Sequence, residues 1–233
     1  MVRRQTDFFL KMKNLLFAVL ASSFLLLSCS KSDMAPALPT DPGCSEISLI
    51  PVSAHSLSSA EVLTVNSLFS RNNIDNRNFR YTRYSHESVQ TFFPPFASFD
   101  SQLVVVEEYT NGLRILNGQS NFIFKNGLFD FRVGHQTSGT SLDTSPTRRA
   151  GQLRALFLAT ITQFDTGRSE AIQQQCMHAE FGYYDLNAGT SDAPEKLVKA
   201  WRVTPKNQDY PFAYYQDEAG QLIYYDNGIR TFR

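Results

Sequence analysis

Residues 102–134, QLVVVEEYTNGLRILNGQSNFIFKNGLFDFRVG, decide how the rest of the chain is read. They form a run of strands separated by Asn-Gly pairs, and Asn-Gly favours two-residue hairpin turns because both central residues need positive φ. Asn126-Gly127 separates a segment carrying Phe122 and Phe124 from one where Phe129, Phe131 and Val133 alternate with Asp130 and Arg132. Asn111-Gly112 and Asn117-Gly118 mark two further bends. A period of two predicts a half-buried antiparallel sheet with one aromatic face that needs a cover.

Working outward, 233 residues with 42% hydrophobic and 19% charged side chains can bury one ordinary core or two small ones. Lys and Arg total 22 against 22 Asp and Glu, a balance that argues against an electrostatic nucleic-acid binder. Nineteen Phe and ten Tyr against one Trp make a β-rich composition.

On the N-terminal side, Lys11 and Lys13 precede the apolar run 15–27, which ends in Leu26-Leu27-Ser28-Cys29. A basic segment, a short apolar segment and a small residue before the cleavage point predict a secretory signal and not a membrane span. Leu-Leu-Ser-Cys resembles the bacterial lipobox. That resemblance implies lipidation of Cys29 and cleavage after Ser28. Ser30-Lys31-Ser32-Asp33 resembles the polar stretch after the lipid cysteine of Bacteroidota lipoproteins, which implies anchoring in the outer membrane, facing the periplasm or the cell surface. Ordinary secretory cleavage near Ala21, or a buried Cys29, is the alternative. Several acyl chains together give stable anchoring, because each buried methylene contributes about 0.8 kcal/mol. Residues 34–43, with three prolines and no periodicity, extend the tether. Cys44 and Cys176 then remain in an oxidising compartment. They either pair, constraining the unfolded chain by about 4–5 kcal/mol, or stay as separate buried thiols.

From Leu57 the period changes. Ser58-Ser59-Ala60-Glu61 is a capping box, Leu57 and Val62 are spaced for a hydrophobic staple, and Val62, Val65, Leu68 and Phe69 form one helical stripe. This helix is the first candidate cover for the aromatic sheet. Residues 79–84, FRYTRY, follow as a strand. Residues 92–99, FFPPFASF, are excluded from a central strand by Pro94 and Pro95. They are read as a packed loop, the alternative being an exposed aromatic binding patch.

Downstream of the central stretch, Ser145-Pro146 supplies an N-cap and a first-turn proline. Leu153, Leu156, Phe157, Thr160, Ile161 and Phe164 then mark a second amphipathic helix, ended by Asp165-Thr166-Gly167. Strands are expected at 176–186, 197–204, 212–216 and 221–225. The second half thus repeats the plan of the first, a helix followed by an antiparallel sheet.

Tyr109 with Asn111-Gly112 and the Asn-Gly hairpin resemble the fungalysin/thermolysin propeptide (FTP) domain. Leu197 with Ala200-Trp201-Arg202-Val203, and Tyr214-Tyr215 before Gly220-Gln221-Leu222-Ile223, resemble a PepSY domain. The pair resembles the propeptide of thermolysin-like metalloproteases without the catalytic domain. The departures are Arg114 where the family often has proline, and Gln216 and Asp217 where its last hairpin has aspartate and alanine. The resemblance implies an α+β fold, with two cystatin-like helix-plus-antiparallel-sheet subdomains in tandem after a lipoprotein signal peptide and tether. The boundaries are 1–28 for the signal peptide, 29–56 for the tether, 57–141 for the FTP-like part and 142–233 for the PepSY-like part. It also implies that the tail Ile229, Arg230, Thr231, Phe232 and Arg233 occupies a partner's cleft.

Catalytic signatures are missing from the sequence. The four histidines, His55, His86, His135 and His178, have no i, i+4 pair for a zincin site. His178 and Glu180 share a strand face as two metal ligands would, but with no third ligand apparent they are read as a polar face. His86-Glu87 is read as surface and Trp201 as core. No G-x-S-x-G and no phosphate-cradling glycine loop occurs. The expectation is a non-catalytic, cofactor-free, lipid-anchored binding protein of the bacterial envelope. Its partner would be another envelope protein, a protease or its substrate, with no nucleic acid involved. A structural lipoprotein scaffolding an envelope complex is the alternative.

Overall fold

The computed structural model describes residues 45–94, 96–134, 136–190 and 193–229. The elements in chain order are β1 (Ser45–Ser48), α1 (Ser59–Arg71), β2 (Phe79–Gln90), β3 (Ser98–Thr110), β4 (Leu113–Lys125), β5 (Leu128–Gly134), α2 (Ala150–Phe164), α3 (Thr166–Gln173), β6 (Met177–Asp185), β7 (Leu197–Pro205), β8 (Phe212–Gln216) and β9 (Leu222–Asp226). Two tandem cystatin-like subdomains do not form. The nine strands join into one mixed sheet in the order β2-β3-β4-β6-β7-β8-β9, with β5 on β4 and β1 on β6.

The turns follow the backbone logic of Asn-Gly. Asn111 and Gly112 have φ of 50° and 77°, Asn126 and Gly127 of 52° and 76°, so both central residues of each turn are left-handed. Asn117-Gly118 does something else. Glu107 lies opposite Gln119 and Tyr109 opposite Arg114, which leaves residues 115–118 of β4 bulged out against Glu108 alone. The bulge turns the two ends of β4 to different neighbours. Its C-terminal part pairs with β5, while Ile115 pairs in parallel with Tyr183 of β6. The Asn117 side chain extends the join, donating to the Asp185 carbonyl at 2.9 Å and accepting from the Asp185 amide at 3.0 Å.

This seam is why the two-subdomain expectation fails. Leu113 and Ile115 at the start of β4 belong to the core built by α2, α3 and strands β6, β7 and β8, beside Leu153, Phe157, Ile161, Phe181 and Trp201. Phe122 and Phe124, further along the same strand, join Val65, Leu68, Phe69, Tyr81, Val104 and Val106 beneath α1. One strand feeds both cores. Gly182 makes the approach possible, because a Cβ there would sit 2.4 Å from the Arg114 carbonyl oxygen.

The helix ends show which local signals prevail. At α1 the capping box forms as read, with Ser58 N–H donating to Glu61 Oε2 at 2.8 Å and Glu61 N–H donating to Ser58 Oγ at 3.4 Å. Asn72 closes the helix and also holds the β4–β5 turn, accepting from Phe129 N–H and donating to the Gly127 carbonyl. Helix α2 starts at Ala150 and not at Ser145-Pro146. Asp217 takes the amides of Thr147 and Arg148 and the Thr147 hydroxyl, so this segment docks onto the β8–β9 turn before the helix begins. Asp165-Thr166-Gly167 ends α2 but leads directly into α3, which the sequence reading did not foresee.

Candidate functional site

The sheet face that carries Glu180 holds a ladder of alternating charge across four adjacent strands. Arg80 of β2 meets Glu107 of β3 at 2.6 Å, and Glu107 meets Arg114 of β4 at 2.9 Å. Arg114 then donates to both oxygens of Glu180 on β6, at 3.0 and 2.9 Å. Burial opposes the charge on Arg114, yet Glu180 and Glu107 hold its guanidinium above the usual arginine value. Both carboxylates in the ladder are committed to arginines. The ladder is a structural rib and not an acid-base pair.

The residues weighed as ligands have structural partners. His178 Nε2 lies 2.7 Å from Ser48 Oγ of β1. Glu180, two residues along, bonds Arg114. His55 stacks on Tyr81 with centroids 4.4 Å apart, and its Nδ1 accepts the Tyr81 amide at 3.0 Å. Burial and, after it, the nearby Arg80 charge hold the His55 imidazole below its usual pKa. Among the described residues no group of three His, Cys, Asp or Glu is arranged to hold a metal ion. Trp201 is fully buried in the second core and donates its indole N–H to Asp217 Oδ1 at 2.7 Å. A surface groove of about 470 Å³ is lined by His178, Arg202, Thr204 and the Glu46–Lys206 ion pair, the last closed at 2.8 Å.

Two surfaces remain available for a partner. The first is β5, which has β4 on one side and no strand on the other among the described residues. The sequence reading gave Phe129, Phe131 and Val133 a covered face. They are instead 43%, 48% and 53% exposed, with Leu128 at 65%. A bulge at Asp130 also breaks the expected alternation: Phe129 lies opposite Phe124 and packs on Phe122 and Phe124, whereas Phe131 and Val133 lie opposite Ile123 and Asn121 on the other face. Arg132, between them, turns inward to the buried Glu108 and stacks over Phe122. It leaves Asp130 as the strand's outward charge, a thin guard for an edge.

The second surface overturns the packed-loop reading of FFPPFASF. Phe92, Phe93 and Phe96 are 91%, 82% and 67% exposed at the tip of the β2–β3 hairpin. The prolines in the sequence excluded strand pairing but carried no signal about whether the loop would pack against a neighbour.

Of the remaining sequence candidates, Cys29 and Cys44 lie outside the described residues, as do Arg230, Thr231, Phe232 and Arg233. Ile229 is exposed. Cys176 is disulfide-bonded, and its partner lies outside the described residues. Comparison with models of known protein families and with curated proteins gives no match.

Proposed function

We propose that the chain is a non-catalytic, lipid-anchored binding protein of the bacterial envelope. It engages an extended segment of another envelope protein, a protease or its substrate, along β5, and so inhibits the protease or assists its folding. The observation that carries this reading is the edge strand itself, with Leu128, Phe129, Phe131 and Val133 exposed on a strand that, among the described residues, no second strand flanks, although Asn72 takes the Phe129 amide. An extended chain added there gains main-chain hydrogen bonds for affinity and alternate side-chain contacts for specificity. The exposed Ile229 and the residues after it supply a second contact.

The test is site-specific photocrosslinking from position 131 in the full chain, in its native envelope, with partners identified by mass spectrometry. The expected result is a protease, or a protein it cleaves, crosslinked at position 131. Its capture is lost on Asp130→Pro, which blocks strand addition, and its proteolysis changes when the chain is depleted. Stoichiometric capture of non-protease components with unchanged proteolysis refutes this reading and favours a scaffold.

A further inference from the structure

We infer that the tip of the β2–β3 hairpin is a membrane-contact device, inserting Phe92, Phe93 and Phe96 into the interface of a lipid bilayer. The hairpin projects beyond its support. β4 reaches Lys125, opposite Ser101, and its turn ties to Asp100 through Asn126. Past that point β2 and β3 continue alone through Val89↔Phe99 and Gln90↔Ser98. Thr91 then closes the loop, its amide donating to the Ala97 carbonyl at 3.0 Å and its hydroxyl accepting from the Ala97 amide at 2.9 Å. These bonds close the base of the loop, and Phe92, Phe93 and Phe96 stand exposed beyond it.

The chemistry selects lipid as the occupant. Residues 88–99, SVQTFFPPFASF, contain no charged side chain. Along the hairpin an apolar tip is followed by neutral Gln90, Thr91 and Ser98, and only then by Glu87, Asp100 and Lys125. This is the order of polarity across a bilayer interface, where aromatic rings sit at headgroup level and cationic side chains reach the phosphates. Lys125 Nζ lies 4.3 Å over the Phe99 ring, at the depth where such a cation is needed.

Reach is also satisfied. Fifteen residues lie between Cys29 and Ser45, the first described residue, a connection that can span up to about 55 Å when extended. The twelve residues of β2 cover about 40 Å. The proposal draws on the Cys29 anchor for proximity alone, and it is independent of what β5 binds. The anchor and the tip together would hold the fold at two points on the membrane.

The test uses the full chain reconstituted into phosphatidylcholine–phosphatidylethanolamine vesicles, carrying Phe93→Trp. Trp201, buried in the second core, is the subtractable background. Vesicle flotation reads the anchor, and quenching by bromine-labelled lipid reads the tip. The expected result is a floating chain whose position-93 tryptophan is blue-shifted, loses most of its emission to brominated lipid, and resists aqueous iodide. A Leu63→Trp control on the exposed face of α1 should show the reverse. A floating chain with an iodide-accessible, bromine-insensitive position 93 overturns the tip contact while leaving the anchor standing. A chain that fails to float overturns both, and equal bromine quenching at positions 63 and 93 overturns the tip as a specific device.

Discussion

Replacing Glu180 by alanine tests whether the seam between β4 and β6 makes the sheet one cooperative unit. Glu180 is 2% exposed and takes two hydrogen bonds from Arg114, itself 18% exposed. Removing one partner of a fully buried pair costs about 3–5 kcal/mol, because the other charge is left desolvated. Arg114 keeps Glu107 and some water, which lowers the expectation to about 2–4 kcal/mol. For a chain of this size that is a fall in Tm of about 4–16 °C. Urea unfolding followed by Trp201 fluorescence, in the second core, and by far-ultraviolet circular dichroism should shift together to a lower midpoint with unchanged slope. The double variant Arg114→Met/Glu180→Leu should recover most of the loss, since apolar replacement of a buried pair is often neutral. A Glu180→Ala change under about 0.5 kcal/mol, ordinary for an exposed site, would refute the seam as a stabilising element. So would a double variant no more stable than the single one.

Other expectations concern the same framework. Asp217→Ala strips the acceptor from the Trp201 indole and from the Thr147 and Arg148 amides, and should cost about 3–5 kcal/mol in urea unfolding, with Asp217→Asn milder. Gly182→Ala should cost about 1–3 kcal/mol or more by forcing β6 away from the Arg114 carbonyl, and a neutral effect in thermal melts would show that the strands do not meet there. Burial and then the Glu107 charge push the Tyr109 hydroxyl up to about 12. The unfolded chain ionises first, near 10, so this contribution to stability is full below that pH and is lost, on the order of 2–3 kcal/mol, as pH rises through 12. Tyr215 and Tyr225 are raised as well, so Tyr109→Phe should make that alkaline limb shallower without abolishing it, and an unaltered limb would exclude a contribution from Tyr109. Finally, Ser45 faces Met177 in parallel register, so a non-reduced digest should yield a Cys44–Cys176 peptide; a Cys29–Cys176 peptide would contradict that pairing.

The elements were legible because their signals are local. Ser58 and Glu61 can cap a helix without help from the rest of the chain, and Asn126-Gly127 can only turn. The assembly was not legible because it depends on a meeting between residues 68 apart. Leu113 and Ile115 alternate as Phe122 and Phe124 do, and nothing in that period says that a bulge at residues 115–118 will hand them to another core. Arg114 and Asp217 were visible only as departures from a resembled pattern. In the structure they are the charged groups that join β4 to β6 and dock the start of α2.

The same limit applies to the surfaces that matter for function, and it gives them their value. Apolar periodicity states what a face is made of, and a fold normally answers by covering it. Where the fold has covered Phe122, Phe124 and Trp201 but left Phe92, Phe93, Phe96, Phe131 and Val133 outside, the exposed set needs another explanation. The two sets differ in what surrounds them. β5 offers apolar side chains on a strand that no second described strand flanks, with Asp130 among them, which suits a polypeptide able to add a strand. The hairpin tip offers rings in a stretch, 88–99, that has no charged side chain and is followed, away from the tip, by Glu87, Asp100 and Lys125, a grading that suits a lipid interface. Substituting Phe131 should therefore change which protein is captured and leave bromolipid quenching at position 93 intact, whereas substituting Phe92 and Phe96 should do the opposite. A single variant that abolished both would mean that the two surfaces serve one contact.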